Sequence, residues 1–468
     1  MVVTSGGDAV GERLEDGAGG LTDRVVERVR GRSFDDLPAD VVLVAKQCAL
    51  DWLAVSLAGS REPVARIVRD EVLDQGGSAQ ATLVGSGDRV AAGQAALVNG
   101  TAGHALDYDD VVSTFLGHPS APVLPAVLAL AERRGASGRS ALAAFVAGFD
   151  AESLLGRTIV PGHYERGWHT TATLGTFGAA AACAHLLGLD AAQWRHAFGL
   201  AATQAGGLKA SFGTMGKPLH AGKAAANGLL AATLAGRGMT AAPDAFEAHL
   251  GFAAATSPVL APERIDGVGP GEFEVRQVLF KYHAACYLVH STVEGVLALR
   301  REGLRPEDVE TLTIRATPMH RDTCGIAEPS TPLEAKFSLR YAAAVALVTG
   351  SAGEAAFDEA VVADPAVRAV LDRVEVVTDA GLDQLMATPV SVRRRSAGPT
   401  EACVDVGRPA PAAQLAGQGE RLVAKFGGLA GPVIGTEAAE RVVGLVERLE
   451  ELSSVAPLLR ACAPVSAR

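Results

Sequence analysis

Several things are scarce in this chain of 468 residues, and each scarcity excludes a class of protein. Its six cysteines (Cys48, Cys183, Cys286, Cys324, Cys403 and Cys462) are scattered with no CxxC pair, which argues against a disulfide framework or a cysteine-ligated iron–sulfur cluster and suits the reducing cytoplasm. No uninterrupted apolar run of about 18 residues occurs, so no membrane span is expected. Residues 1–20 lack the basic start and apolar block of a signal peptide and read as a disordered tail. A formal charge of −11 offers no basic face for nucleic acid. HExxH, P-loop and GxSxG signatures are missing, and the dispersed histidines have no zinc spacing, so neither metal nor cofactor is expected. A DDxxD motif starting at Asp109 would need aspartate where Ser113 stands, and 5% aromatics are too few to cradle carbocations.

Lysine is scarce in a more informative way. It occurs only at positions 46, 209, 217, 223, 281, 336 and 425, while arginine is abundant. With so much Ala, Gly and Val the chain reads as the product of a GC-rich genome, in which surface cations drift to arginine. The surviving lysines are therefore better candidates than average for a role, and five of the seven fall between Lys209 and Lys336.

At 48% hydrophobic residues the chain can bury a large core, and its length suggests two domains. From Leu21 to about Pro270 apolar residues recur at helical spacing, with Pro38 opening a helix through Leu57 and further helices expected at 125–134, 140–155, 169–187, 191–204 and 218–237. Beyond that, strands are expected at 309–317, 373–378, 390–395 and 402–406, between helices at 289–301, 334–348 and 364–372. Residues 396–419 read as a Pro/Ala/Gly-rich connection and 436–460 as a returning helix. The expected architecture is mostly α with an α+β part: a helical domain over 21–272, a smaller α+β domain over 273–410, and a segment 411–468 that completes the first domain. No internal repeat is visible.

The densest chemistry lies in Asn99–Asp110 followed by His118-Pro119-Ser120, where three aspartates and two histidines are flanked by Ala, Val, Leu and Gly. Burying so many ionisable groups is costly unless they are paired or used. A helix cap with solvated acids is the plainer alternative. Trp168-His169 opens an Ala/Gly helix, a place that favours neutral imidazole; a satisfied core histidine would look the same. Lys217-Pro218-Leu219-His220 begins another helix, a ready carboxylate or phosphate site. Lys281 to Cys286, with His290 one turn later, stands at the junction of the two regions, where ligand clefts are common. Lys336, Arg340 and Tyr341 fall on adjacent turns of one expected helix.

Read in order, NGTAGHALDYDD (99–110), HPSAPVLPAVLALAE (118–132), GWHTTATLGTFGAAAA (167–182) with LLGLD (186–190), GTMGKPLHAGKAAANG (213–228), KYHAACYLVHSTVEG (281–295) and EAKFSLRYAAAVAL (334–347) resemble the MmgE/PrpD family, with a weaker match at Lys425-Phe426. That family includes 2-methylcitrate dehydratase, cis-aconitate decarboxylase and iminodisuccinate epimerase. The resemblance implies a discontinuous helical domain with an α+β lid, a homodimer, and a pocket containing Asp107, His118, His169, Lys217, Lys281 and Tyr341, with His220 and His290 near it. In the decarboxylase-like pattern a threonine follows the two aspartates and a histidine stands five residues after the junction lysine; here those places hold Val111 and Cys286.

The expected activity is that of a cofactor-independent lyase, foremost a dehydratase of a 2-methylcitrate-like hydroxy polycarboxylate. Lys217 and Lys281, with His220, Cys286 and His290, would bind a di- or tricarboxylate. His118 or His169 would move the proton, Asp107 would orient the imidazole, and Tyr341 would donate a hydrogen bond. Decarboxylation, epimerisation and dehydration of a specialised metabolite are the enzymatic alternatives, and a helical acid-binding scaffold is the non-enzymatic one.

Overall fold

The computed structural model describes residues 19–269 and 271–464, so all but the last two positions of the expected tail lie outside the described residues. The principal helices of the first half are α1 (Leu21–Arg30), α2 (Ala39–Gly59), α3 (Ala92–Ala105), α4 (Ser120–Arg134), α5 (Gly138–Ile159), α6 (Thr170–Leu187), α7 (Ala191–Ala202) and α8 (Gly216–Gly236). Several are apolar on every side, which is the signature of helices surrounded by other helices. Although α2 is long and apolar enough to cross a membrane, 83% of that stretch is buried within the bundle.

Small residues set how closely these helices approach. α8 lies against both α3 and α6. A Cβ on Gly100 of α3 would fall 2.9 Å from the Cα of Gly222 in α8, and one on Gly228 would fall 2.6 Å from the backbone nitrogen of Ala180 in α6. Glycine here gives up side-chain burial so that two backbones can touch. That contact fixes where the first turn of α8, with Lys217, stands relative to the last turn of α3.

α4 starts five residues ahead of the expected Pro125. Asp110 caps it from ten positions upstream, accepting hydrogen bonds from the Ser120 backbone N–H (3.3 Å) and hydroxyl. Pro122 then falls in the first turn, where a missing N–H costs nothing, and Pro125 lies inside the helix. A cap so distant in sequence leaves no local signal.

The second half forms a lid, in which α9 (His290–Arg301) and α10 (Leu339–Thr349) cover a sheet. Two short strands, β1 (Val111–Val112) and β2 (Val278–Leu279), pair antiparallel and tie the loop after α3 to the domain junction. The sheet itself contains β3 (Val309–Ala316), β4 (Val374–Thr378), β5 (Val390–Arg394) and β6 (Thr400–Ala402), in the order β4-β3-β5-β6. β3 and β4 run parallel with Leu312 opposite Val374, whereas β5 is antiparallel to both β3 and β6. Leu312, Ile314, Val390 and Val392 face inward, so the sheet is buried on one side only.

Four sequence expectations need correction here. The strand expected at 402–406 lies earlier, at Thr400–Ala402; beyond it the carbonyls of Val404 and Val406 accept the hydroxyls of Ser291 and Tyr287 instead of joining a ladder. The helix expected at 334–348 is broken, because Ser338 caps α10 by accepting the Tyr341 N–H. The connection expected to run to residue 419 is in fact helix α11 (Leu415–Ile434), followed by α12 (Thr436–Glu447), which ends well short of residue 460. Five glycines and Pro432 mask α11, yet Leu415, Leu422, Phe426, Leu429 and Ile434 keep helical spacing and are buried. α11 packs on α2, so the end of the chain returns to the helical domain.

Gly222→Val will lower stability by about 1–3 kcal/mol through overpacking. Gly427→Ala, at an exposed position of α11 with open space around it, will raise stability by about 0.5–1 kcal/mol. Urea midpoints followed by circular dichroism read both, and equal shifts would contradict the close helix contact.

Candidate active site

The C-terminal end of α3 is where the chemistry gathers. A helix leaves its last carbonyls unpaired and slightly negative. Here three successive carbonyls are taken by three lysines: Leu106 O accepts Lys336 Nζ, Asp107 O accepts Lys281 Nζ (2.8 Å), and Tyr108 O accepts Lys425 Nζ (2.7 Å). Asp107 turns the chain with φ +50°, a left-handed conformation that aspartate tolerates better than most residues. The turn aims its carboxylate inward, where Oδ1 lies 2.6 Å from Lys281 Nζ and 3.0 Å from Lys217 Nζ. Lys425 also reaches Asp51 Oδ1 (2.6 Å) and Lys281 O (3.0 Å).

The imidazoles stand beside this lattice. His104, in the last turn of α3, directs Nδ1 at Asp109 Oδ2 (2.9 Å). His118 Nδ1 lies 3.1 Å from the same oxygen, off the hydrogen-bond axis, and its Nε2 lies 3.6 Å from Asp107 Oδ1. His118 is held by its N–H, which donates to Thr171 Oγ1 (3.1 Å), and by the Asp110–Ser120 cap two residues on. His169 is the residue before α6. Residues 167–169 run against 207–209, with His169 N–H donating to Gly207 O (3.0 Å) and Lys209 N–H to Gly167 O (2.8 Å). Its ring stacks 5.6 Å from His104, and its Nδ1 faces His220 Nδ1 at 3.2 Å.

Burial and charge set the protonation states. Burial opposes ionisation of Asp107, but Lys217 and Lys281 outweigh it and hold the carboxyl well below its ordinary range. Asp109 stays ionised against the same burial because His104 and His118 face it. Burial pushes His118 down to about 3 and His220 to about 4, and holds His169 well below its usual value with Lys217 adding to the effect. The cleft thus offers neutral imidazoles, with His118 turning Nδ1 toward Asp109 and Nε2 toward Asp107. Beneath it, burial and Asp51 raise Asp110 to about 8, and burial with Asp110 keeps Glu152 protonated.

The cleft itself runs between bundle and lid. His118, His169 and Lys217 line it from the bundle, Cys286 and Phe337 from the lid side, and Val111 and Leu116 form apolar wall. Lys217 Nζ, Asp107 Oδ2 and His104 Nε2 are buried with no hydrogen-bond partner among the described residues. Donors and acceptors without a hydrogen bond in a buried cluster are what a polar ligand can satisfy. His104, Asp107, Asp109 and His118 bring donor atoms within 4.8 Å of one another, a spacing that suits a metal ion. A divalent cation there would, however, displace the two ammonium groups already on Asp107.

Of the residues expected from sequence, Asp107, His118, His169, Lys217, Lys281 and Cys286 converge on this cleft or its floor, and His220 supports His169. Two do not. Tyr341 is fully buried within the lid and donates its hydroxyl to Ala356 O (2.6 Å). His290 bonds to Ala285 O (3.3 Å) and packs on Tyr287 and His283, where it lines a different cleft. Asp107 is also not the group that orients the imidazole. It is committed to two lysines, and Asp109 takes that position. The expected site roles left out Asp109, His104, Lys336, Lys425, Asp51 and Asp110, although the dense 99–110 segment contains three of them and lysine scarcity was a signal for two more.

A helical bundle and an α+β lid thus enclose a cleft lined by lysines and neutral imidazoles. The chain belongs to the MmgE/PrpD family: the model of the MmgE/PrpD N-terminal domain matches residues 23–264 and that of the C-terminal domain residues 283–451. It is 28% identical to the cis-aconitate decarboxylase of Aspergillus terreus over 476 aligned residues, spanning 94% of this chain and 95% of that protein. It is 28% identical to human cis-aconitate decarboxylase over 370 residues, 76% of each chain. A cis-aconitate decarboxylase-like protein of Aspergillus oryzae is 30% identical over 299 residues, which cover 60% of this chain and 62% of that protein.

Lys425→Met will destabilise the protein by about 3–5 kcal/mol, because it leaves Asp51 buried and unpaired. Adding Asp51→Asn will recover part of the loss, and a further loss would contradict the pairing. Asp110, raised to about 8, keeps its proton in the folded state while the unfolded chain releases it near pH 4. Its contribution is complete below pH 4 and is lost as pH rises to 8. Asp110→Asn will therefore flatten the decline in urea stability between pH 5 and 8; an unchanged slope would mean that Asp110 is ionised in the fold.

Proposed function

We propose that this protein is a lyase that takes a proton from the carbon beside a carboxylate of a small di- or tricarboxylate, foremost a dehydratase of a 2-methylcitrate-like hydroxy acid. One observation carries the reading: the Lys217 ammonium, ion-paired with Asp107 but making no hydrogen bond among the described residues, and a neutral His118 share one buried cleft. Lys217 would receive a substrate carboxylate, and His118 Nε2 would accept the proton. Negative charge that develops on the substrate would be met by fixed ammonium groups in a water-poor setting, where such groups act most strongly. Asp109 would steady the imidazolium that forms, as a carboxylate behind a histidine does in other acid–base sites. The departing hydroxyl would take a proton and leave as water.

The wall supports the dehydrating branch. Val111 and Cys286, which replace the threonine and histidine of the decarboxylase-like pattern, both line the cleft, and Val111 offers a methyl-bearing substrate an apolar surface. Decarboxylation of a cis-aconitate-like acid is the second reading, favoured by the similarity to cis-aconitate decarboxylases. Both routes pass through a carbanion next to a carboxylate, so one set of cations serves either.

Proton NMR in heavy water with citrate, 2-methylcitrate, cis-aconitate and iminodisuccinate separates these readings. An alkene signal growing from 2-methylcitrate is expected; a terminal methylene growing from cis-aconitate would select decarboxylation. Binding with neither turnover nor exchange in any acid would leave only an acid-binding scaffold. With the productive acid, His118→Ala will lower kcat by about 10²–10⁴-fold, while Lys217→Met will mainly raise KM, by about 10–100-fold. Equal, mild effects of both would contradict the assigned roles.

A further inference from the structure

The proton-transfer scheme leaves one reactive group in the cleft unused. Of the six cysteines, Cys48, Cys183, Cys324 and Cys462 are buried and Cys403 is exposed on the lid, whereas Cys286 is half-buried and lines the cleft. Its place is fixed at the domain junction by its own N–H, which donates to Lys336 O (3.1 Å). Lys217 lines the same cleft, is only 4% exposed, and keeps an ammonium without a hydrogen-bond partner among the described residues. A nucleophile and an ammonium that shares the Asp107 carboxylate with Lys281 and makes no hydrogen bond of its own therefore line one confined space.

We propose that Cys286 is a covalent-modification site for small electrophilic carboxylates, with Lys217 holding the carboxylate while the sulfur attacks carbon. The neighbouring Cys324 thiol holds Cys286 below its ordinary range against burial, which adds to the reactivity of this thiol. With an α-halo acid, the S–C bond forms as the carbon–halogen bond breaks; halide leaves with the electron pair and the thiol proton passes to solvent. With an α,β-unsaturated acid, sulfur bonds to the β-carbon and the π pair moves to the α-carbon, which takes a proton from water. The net change is addition of S–H across the double bond, and no oxidant is required. The anchoring role of Lys217 rests on the carboxylate reading above; the reactivity of Cys286 does not.

Iodoacetate and iodoacetamide present the same leaving group with and without a carboxylate. The full chain is treated with each at equal concentration, and adducts are counted by intact mass and peptide mapping, with exposed Cys403 as the internal reference. Relative to Cys403, Cys286 is expected to favour iodoacetate over iodoacetamide by about tenfold or more, the size of one charge-assisted hydrogen bond. Lys217→Met should abolish the preference, Lys217→Arg should retain it, and Cys286→Ser should remove the adduct. Failure of both reagents at Cys286 while Cys403 reacts would overturn the proposal and leave the carboxylate reading intact. Labelling of Cys286 with no preference for iodoacetate would overturn the proposal and count against the carboxylate reading as well.

Discussion

Three peptide carbonyls at the end of one helix hold this molecule's parts in register. Leu106, Asp107 and Tyr108 follow the last turn of α3, and their oxygens are bound by Lys336 from the lid, Lys281 from the domain junction and Lys425 from the returning C-terminal helix. Each lysine arrives from a segment far away in sequence. A helix end buried without partners would be strongly unfavourable, so the α3 terminus cannot be dry until all three segments have docked. The same docking places the Asp107 carboxylate and closes the cleft.

The electrostatic consequence follows from that arrangement. Four lysine ammoniums crowd a region in which Asp107 and Asp109 are the firmly ionised acids, because burial raises Asp51 and Asp110. Burial also weakens the lysines, lowering Lys336 to about 8 and lowering Lys425. On the proposed reading, a site with surplus positive charge and neutral imidazoles favours a polyanion. Protonated Asp110 and Glu152 lie under the floor, where a second negative charge would cancel that surplus. Gly178 in α6 makes room for them, since a Cβ there would fall 2.6 Å from Glu152 Oε2.

The helical half and most of the lid were legible because their signals are local. Apolar spacing marks α2, α5 and α6, and alternation marks β3. What escaped depends on contacts distant in sequence. Asp110 starts α4 from ten residues upstream, so the proline rule placed the start too late. α11 is hidden by its glycines, although its buried face keeps the helical period. Lys425 was hidden with it, and so was the group that neutralises Asp51. Tyr341 and His290 sit close in sequence to site residues, but the turn at Ser338 and the packing against Tyr287 send them elsewhere. Sequence proximity to a motif carried no information about direction; scarcity of lysine did, because four of seven lysines meet at one helix end.

The cations and the wall of the cleft come from different parts of the structure, and this separation bears on which reaction the site runs. Lys217, Lys281, Lys336 and Lys425 are bound to backbone carbonyls or to Asp107, so changing any of them disturbs the fold as well as the ligand. Val111 and Cys286 have no such duty. Val111 sits in the two-residue pair with β2, where any β-compatible side chain would serve, and Cys286 is fixed by its backbone N–H rather than by its sulfur. On the proposed reading, substitution at these two positions would redirect the carbanion toward loss of water, loss of carbon dioxide or return of a proton while the acid stays anchored. The departures from the decarboxylase-like pattern fall at these free positions and not among the lysines, as expected where the anchor is constrained by stability and the outcome of the chemistry is not.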